Sequence, residues 1–400
     1  DRPVSTTMVF VRILSKLLKD PSVGKHIVPI VPDEARTFGM EALFRQCGIY
    51  SHPGQLYEPV DSDNLLFYKE VKNGQVLEEG ITEAGGIASF TAAGSSDANH
   101  GVPTIPFFIY YSMFGFQRVG DFIWAAGDER CRGFQVGGTA GRTTLAGEGL
   151  QHQDGQSHVL SLPVPNLMSY DPAYAYELAV IIREGIRRMV VEGEDIFYYI
   201  TVMNENYIQQ PMPDGAAEGI LKGLYRLRPF ENPQAGKKVR LLGSGAILNE
   251  ALQARELLKD KFDVDAEVWS VTSYKELLRD AQDAERWNML HPDKEPKIPH
   301  VTRCLEDGGI PVIAASDYMK VLPNSIGRWV PAEFLALGTD GFGRSDGRPA
   351  LRKFFEVNAG AIALGALNGL HRSGGIDAAA VSRALHTLGI DADKPNPATS

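Results

Sequence analysis

Several residues have the types and spacing for chemistry. Glu83 is the only acid in Gly80-Ile81-Thr82-Glu83-Ala84-Gly85-Gly86-Ile87-Ala88-Ser89-Phe90, whose other residues are small or apolar. Burying an ionised carboxylate there is costly unless it is partnered, so the setting suits a proton-sharing acid. The plain alternative is a first helical turn, where negative charge is favoured by the dipole, and the pattern alone weighs the two equally. In Pro106–Arg118, aromatics gather at the end of a strand pattern. Tyr111 and Phe114 there either belong to a core or wall a flat heteroaromatic ligand, with the phenol as a polar handle. The run from Gly137 to His158 combines glycines and hydroxyls with Glu148, His152 and His158, and has neither helical nor strand periodicity. It reads as a long ordered loop of the kind that carries function. A metal could be held by His152, Asp154 and His158, although their spacing matches no strong ligand template. Asp33 and Glu34 follow the apolar run Ile27–Val31, at the C-terminal strand edge where open α/β sheets bind ligands.

To position these residues the chain offers helical and strand patterns in alternation, which predicts α/β layers around mostly parallel sheets. Helices are expected from Thr6 or Thr7 to Leu18, capped by Ser5 or Thr6, and over Tyr174–Val190, Ala246–Leu258, Tyr274–Asn288, Ala361–His371 and Ile376–Leu388. Strands are expected at Ile27–Val31, Thr104–Tyr111, Ile196–Val202, Val239–Leu242, Glu267–Val271 and Pro311–Ala315. The polar, Pro- and Gly-containing stretch Leu227–Lys238 is the best linker, and divides the chain into domains over residues 1–231 and 232–400. The turn Gly243-Ser244-Gly245 resembles a dinucleotide fingerprint, but Leu248 replaces its third glycine, which leaves a simple tight turn as the better reading.

Composition narrows the partners. With 40 basic and 50 acidic side chains the net charge is −10, which argues against nucleic acid or an anionic membrane as the main partner. No apolar run approaches the ~18 residues of a membrane span. Three cysteines far apart support neither a disulfide framework nor a zinc ribbon and suit a reducing, cytoplasmic setting. The chain starts Asp1-Arg2-Pro3-Val4, with its first methionine at Met8, which suggests a processed product or a piece of a longer protein.

Taken together, Asp33-Glu34-Ala35-Arg36-Thr37-Phe38-Gly39-Met40-Glu41, Glu79–Glu83, Ile109–Arg118, Gly141–Leu145 and Gly147–His152 resemble the homodimeric bacterial E1 component of pyruvate dehydrogenase. Leu241–Leu248, Asp283–Pro292 and Gly338–Asp346 are similar to the same family. The resemblance implies a transketolase-like enzyme that uses thiamine diphosphate and a magnesium ion (Mg2+), decarboxylates pyruvate and passes the acetyl unit to the lipoyl group of the E2 dihydrolipoyl acetyltransferase. It implies two three-layer α/β domains here, a pyrimidine-binding middle domain and a C-terminal domain, without the N-terminal diphosphate-binding domain. The counterpart of Glu83 in such enzymes hydrogen-bonds the aminopyrimidine ring and promotes the tautomer that creates the nucleophile, a general acid/base task. That of Phe114 stacks on the ring, and those of Tyr111, Asp33, Glu34, Glu148 and His152 are expected near the substrate or intermediate. On this reading Glu83, His152, Tyr111 and Glu34 are the catalytic set, and Glu83, Phe114 and Tyr111 contact the cofactor.

The sequence departs from the family pattern in two places. Gln153-Asp154-Gly155-Gln156 carries amides where an acid and a histidine are expected. No Gly-Asp-Gly followed by Asn-Asn is present, and Asp340-Gly341 lies in the wrong context. The metal and diphosphate ligands are therefore expected outside this chain, in another segment or in the second subunit of a homodimer. Two other readings are a different thiamine enzyme, such as a transketolase or another 2-oxoacid dehydrogenase, and a non-catalytic dimerisation module. Retention of Glu83, Tyr111, Phe114 and His152 together speaks against the module.

Overall fold

The computed structural model describes residues 2–32, 35–306 and 308–400, so Asp33 and Glu34 lie outside the described residues. The chain forms two compact units. The first comprises residues 1–140, 160–168 and 181–209, the second residues 141–159, 169–180 and 210–400.

The first unit is built on a six-stranded sheet in the order Leu77–Glu78, Ile27–Val31, Ile105–Tyr111, Phe134–Gly138, Phe197–Thr201 and Leu167–Tyr170. The pairs Ile27↔Ile105, Phe107↔Phe134 and Phe134↔Tyr198 fix a parallel register. Strands covered on both faces read as continuous apolar runs, and Ile105–Tyr111 is buried at every position except Tyr111. Its neighbour Phe134–Gly138 was not expected as a strand because two glycines weaken its β signal. Phe107 and Phe134 stack across the two strands with ring centroids 4.6 Å apart. The helices Glu83–Gly94 and Phe116–Asp128 bury Ile87, Phe90, Phe116, Val119 and Ile123 in the same cluster as Phe108, Tyr110 and Phe197. Close docking of the first helix needs Gly86, where an added Cβ would lie 2.4 Å from Phe108 Cε2. Thr82 caps that helix by accepting a 3.1 Å bond from the Gly85 amide, which fixes Glu83 as its first residue.

The second unit carries a five-stranded sheet in the order Phe334–Leu337, Val312–Ala315, Lys238–Gly243, Asp265–Val271 and Leu224–Arg228. The first four strands are parallel, and Leu224–Arg228 runs antiparallel to Asp265–Val271 with an irregularity at Val268/Trp269. Leu227 and Arg228, expected to begin the linker, belong to this edge strand. Helices Ile247–Phe262, Tyr274–Leu290, Ala359–Arg372 and Ala378–Leu388 lie where the apolar spacing predicted helices. Ser273, Asn358 and Asp377 cap the last three by accepting from Glu276, Ala361 and Ala380 amides, as these side chains do at N-caps. Both units are thus α/β with mostly parallel sheets. Among the described residues no helix is long and apolar enough to cross a membrane.

Candidate active site

In the first unit, strand Ile105–Tyr111 ends and the chain passes through the short turn Ser112–Phe114 into helix Phe116–Asp128. Tyr111 and Phe114 therefore leave the sheet at the C-terminal ends of its strands, the ligand-binding edge of such sheets. Both are half-buried. Their rings meet edge to face at 5.8 Å and 78°, and Phe38 packs on Tyr111 at 5.2 Å.

Glu83 reaches this aromatic group through one residue. Arg118 donates from Nη1 to Glu83 Oε2 at 3.3 Å, and its guanidinium carbon lies 3.8 Å from the centre of the Phe114 ring. The Glu83 side chain is 11% exposed and that of Arg118 53% exposed. Glu83 sits in a first helical turn, and it is a nearly buried acid with an ion-pair partner. Arg118 supplies that partner and adds a cation–π contact with Phe114. The reading from sequence singled out Glu83, Tyr111 and Phe114 but missed Arg118. The available signal was a cation four residues after Phe114, across the turn into helix Phe116–Asp128.

In the second unit, residues 141–156 form an extended loop with a single helical turn at Leu150–His152, and Ser157 and His158 open the short helix Ser157–Ser161. Glu148 and His152 are half-buried, while Gly147, Leu150 and Gln151 are exposed. Gln153 is buried; its Nε2 donates to Leu145 O at 3.1 Å and its Oε1 accepts from the Arg344 amide at 2.6 Å. An amide at this position does what a carboxylate cannot, donating and accepting at once. Asp154 accepts from the Gln156 and Ser157 amides at 3.0 and 2.9 Å and from the Ser157 hydroxyl. His158 is buried against Tyr318, with ring centroids 4.7 Å apart. Burial, reinforced by the Lys275 charge, pushes His158 down to about 3. Among the described residues no group of three or more His, Cys, Asp and Glu could hold a metal ion, so His152, Asp154 and His158 form no such cluster.

The comparisons with known proteins agree with this architecture. A family model for the pyruvate dehydrogenase E1 component middle domain matches residues 1–210, and one for the transketolase-like C-terminal domain matches residues 223–358. The pyruvate dehydrogenase E1 component of Pseudomonas aeruginosa is 58% identical over 398 residues, which cover 99% of this chain and 45% of that protein. That of Escherichia coli K12 is 52% identical over 398 residues, covering 99% and 44%. The chain thus spans less than half the length of these relatives. Among solved structures, a Pichia stipitis transketolase in complex with sedoheptulose 7-phosphate superposes with a TM-score of 0.67 at 17% identity, over 94% of this chain and 47% of that one. A split-gene transketolase, described as an inactive β4 tetramer, gives 0.61 at 16% identity, over 92% and 98%. Identities this low speak to fold alone. The middle-domain model covers more than half of the sequence, and the chain belongs to the pyruvate dehydrogenase E1 component middle-domain family.

Proposed function

We propose that this chain supplies the pyrimidine-binding and C-terminal parts of a pyruvate dehydrogenase E1, an enzyme that decarboxylates pyruvate with thiamine diphosphate and transfers the acetyl unit to the lipoyl group of an E2 acyltransferase. The observation that carries the reading is the contact of one flat guanidinium with both Glu83 and Phe114. Arg118 is a planar N–H donor whose head satisfies a carboxylate and an aromatic face together. An aminopyrimidine has the same flatness and also carries N–H groups, so this acid and this ring suit it. When bound, the cofactor supplies the carbon nucleophile and electron sink that pyruvate decarboxylation requires. Glu83 would hold or share the proton at the pyrimidine, Phe114 would hold the ring's plane, and Tyr111 would orient the site beside it. Glu148 and His152, with Asp33 and Glu34, would serve the substrate side, where a histidine can move a proton or hydrogen-bond a carboxylate.

The functional division would fall at residues 1–231 and 232–400, close to the family matches, which leave 211–222 between them. The diphosphate and its Mg2+ would be held by residues outside this chain, and the working enzyme would be a cytoplasmic homodimer. The 400-residue chain alone should then turn over pyruvate at no more than background, as half of the cofactor's contacts are missing. Decarboxylation by the purified chain would overturn that. In the assembled enzyme, ferricyanide reduction with pyruvate, 2-oxoglutarate or a ketose as donor separates the substrates; a preference for either of the latter two would replace this reading with another thiamine enzyme.

A further inference from the structure

We propose that Asp317 is a positioning residue that holds the loop carrying Glu148 and His152, an inference that rests on the substrate-side reading of those two residues. Asp317 follows the strand Val312–Ala315 and is fully buried. Its Oδ1 accepts from the Thr143 amide at 2.8 Å and the Thr143 hydroxyl at 2.7 Å. Its Oδ2 accepts from the Thr144 amide at 3.0 Å and the Thr144 hydroxyl at 2.5 Å. Four donors fill the four acceptor sites of a carboxylate, which is what a carboxylate removed from water needs to be tolerated. Gly141 is required for the approach: its φ is +90°, and an added Cβ would lie 2.4 Å from Asp317 Oδ2. Thr144 is bound twice more, by Arg348 Nε to its carbonyl at 2.5 Å and by Arg352 Nη2 to its hydroxyl at 3.3 Å.

The far end of the loop is fixed by Arg142, which is also buried. It donates from Nη1 to Thr339 O at 2.6 Å and to Gly341 O, and from Nη2 to Gln156 Oε1 at 2.7 Å. The Met319 amide donates to Gly155 O at 2.8 Å. Residues 141–145 and 153–155 are consequently buried, while the arc 146–152 between them is exposed or half-buried. Asp317 and Arg142 hold the two flanks, and the candidate chemistry lies in the arc between them. This is how a rigid frame presents side chains to a substrate, and an error of about 1 Å in such a frame costs on the order of 100-fold in rate.

The test uses an enzyme in which this chain is joined to a diphosphate-binding half. Asp317→Asn puts an amide donor against one pair of Thr donors and should lower kcat on the order of 10- to 100-fold, with thiamine diphosphate affinity unchanged. Adding His152→Ala to Asp317→Asn should cost much less than His152→Ala costs in the wild type, because a displaced histidine has little left to lose. A folded Asp317→Asn enzyme with wild-type kcat, or losses that multiply, overturns the proposal. If Asp317→Asn does not fold, Thr143→Val removes one hydroxyl donor, keeps the amide bond and carries the same cycle. Hydrogen exchange on the 400-residue chain judges the clamp independently: in the variant, amides 143–145 and 153–157 should lose protection together, and retained protection at 153–157 counts against it. Unchanged activity in His152→Ala alone would remove the reading on which the proposal rests, while exchange would still report whether the clamp exists.

Discussion

Glu83 meets its cation at 3.3 Å through an arginine that is 53% exposed, whereas Asp317 takes four hydrogen bonds at full burial. Both are carboxylates near the C-terminal edge of a parallel sheet, yet their surroundings fit them for different work. A half-exposed ion pair contributes about 0–1 kcal/mol and is readily exchanged for another partner. A saturated buried carboxylate is bound to a network whose members cannot leave one at a time without stranding the rest. The acid–aromatic cluster is therefore the part of the molecule suited to accept a ligand, and the loop is the part suited to hold its shape.

The largest break in this contrast should come from Asp317→Ala. It strands two amides and two hydroxyls and should lower the unfolding free energy by about 3–5 kcal/mol, read as the denaturation midpoint of the 400-residue chain. A loss below about 1 kcal/mol would place Asp317 on a par with a surface pair. Gly141→Ala combines a left-handed backbone with a 2.4 Å clash, and a cost of about 1–3 kcal/mol is expected from strain alone.

A third prediction concerns acid. His158 is held down to about 3 by burial and, secondarily, by Lys275, so between pH 6.5 and 3 the unfolded chain binds one more proton there than the folded one. Stability should fall by about 1.4 kcal/mol per pH unit across that window from this group. His158→Gln should flatten the acid limb by one proton, and an unchanged slope would show that His158 is not held neutral. The smallest effect belongs to Arg118→Met, which should shift stability by no more than about 1 kcal/mol. A shift as large as that of Asp317→Ala would erase the distinction between the two regions.

How much of this was legible in the sequence follows from what each feature depends on. Strand Ile105–Tyr111 and helices Tyr274–Leu290 and Ala359–Arg372 are long and strongly patterned, and they were read nearly to their ends. Only Leu227 and Arg228, the last residues of strand Leu224–Arg228, read as the start of a linker, because they run into Pro229 and Pro233; the strand's place in the sheet comes from pairing with Asp265–Val271. The edge strand Phe334–Leu337 is only four residues long, too short for periodicity to register. Of the candidate residues, Glu83, Tyr111, Phe114, Glu148 and His152 were singled out from residue type and from the family likeness. Arg118 and Asp317 were not, since their partners lie 35 and 174 residues away. An acid just past a strand's C-terminal end, as in Ala315-Ser316-Asp317, was the one local clue to the second.

The role of Glu83 is the claim on which the functional account stands. Pyruvate-dependent ferricyanide reduction by the assembled enzyme, with Glu83→Gln beside wild type at saturating thiamine diphosphate, tests it directly. The glutamine keeps the size and loses the transferable proton, so turnover should fall on the order of 100- to 10,000-fold while the far-ultraviolet circular dichroism stays the same. Wild-type turnover with unchanged cofactor affinity in Glu83→Gln would contradict it.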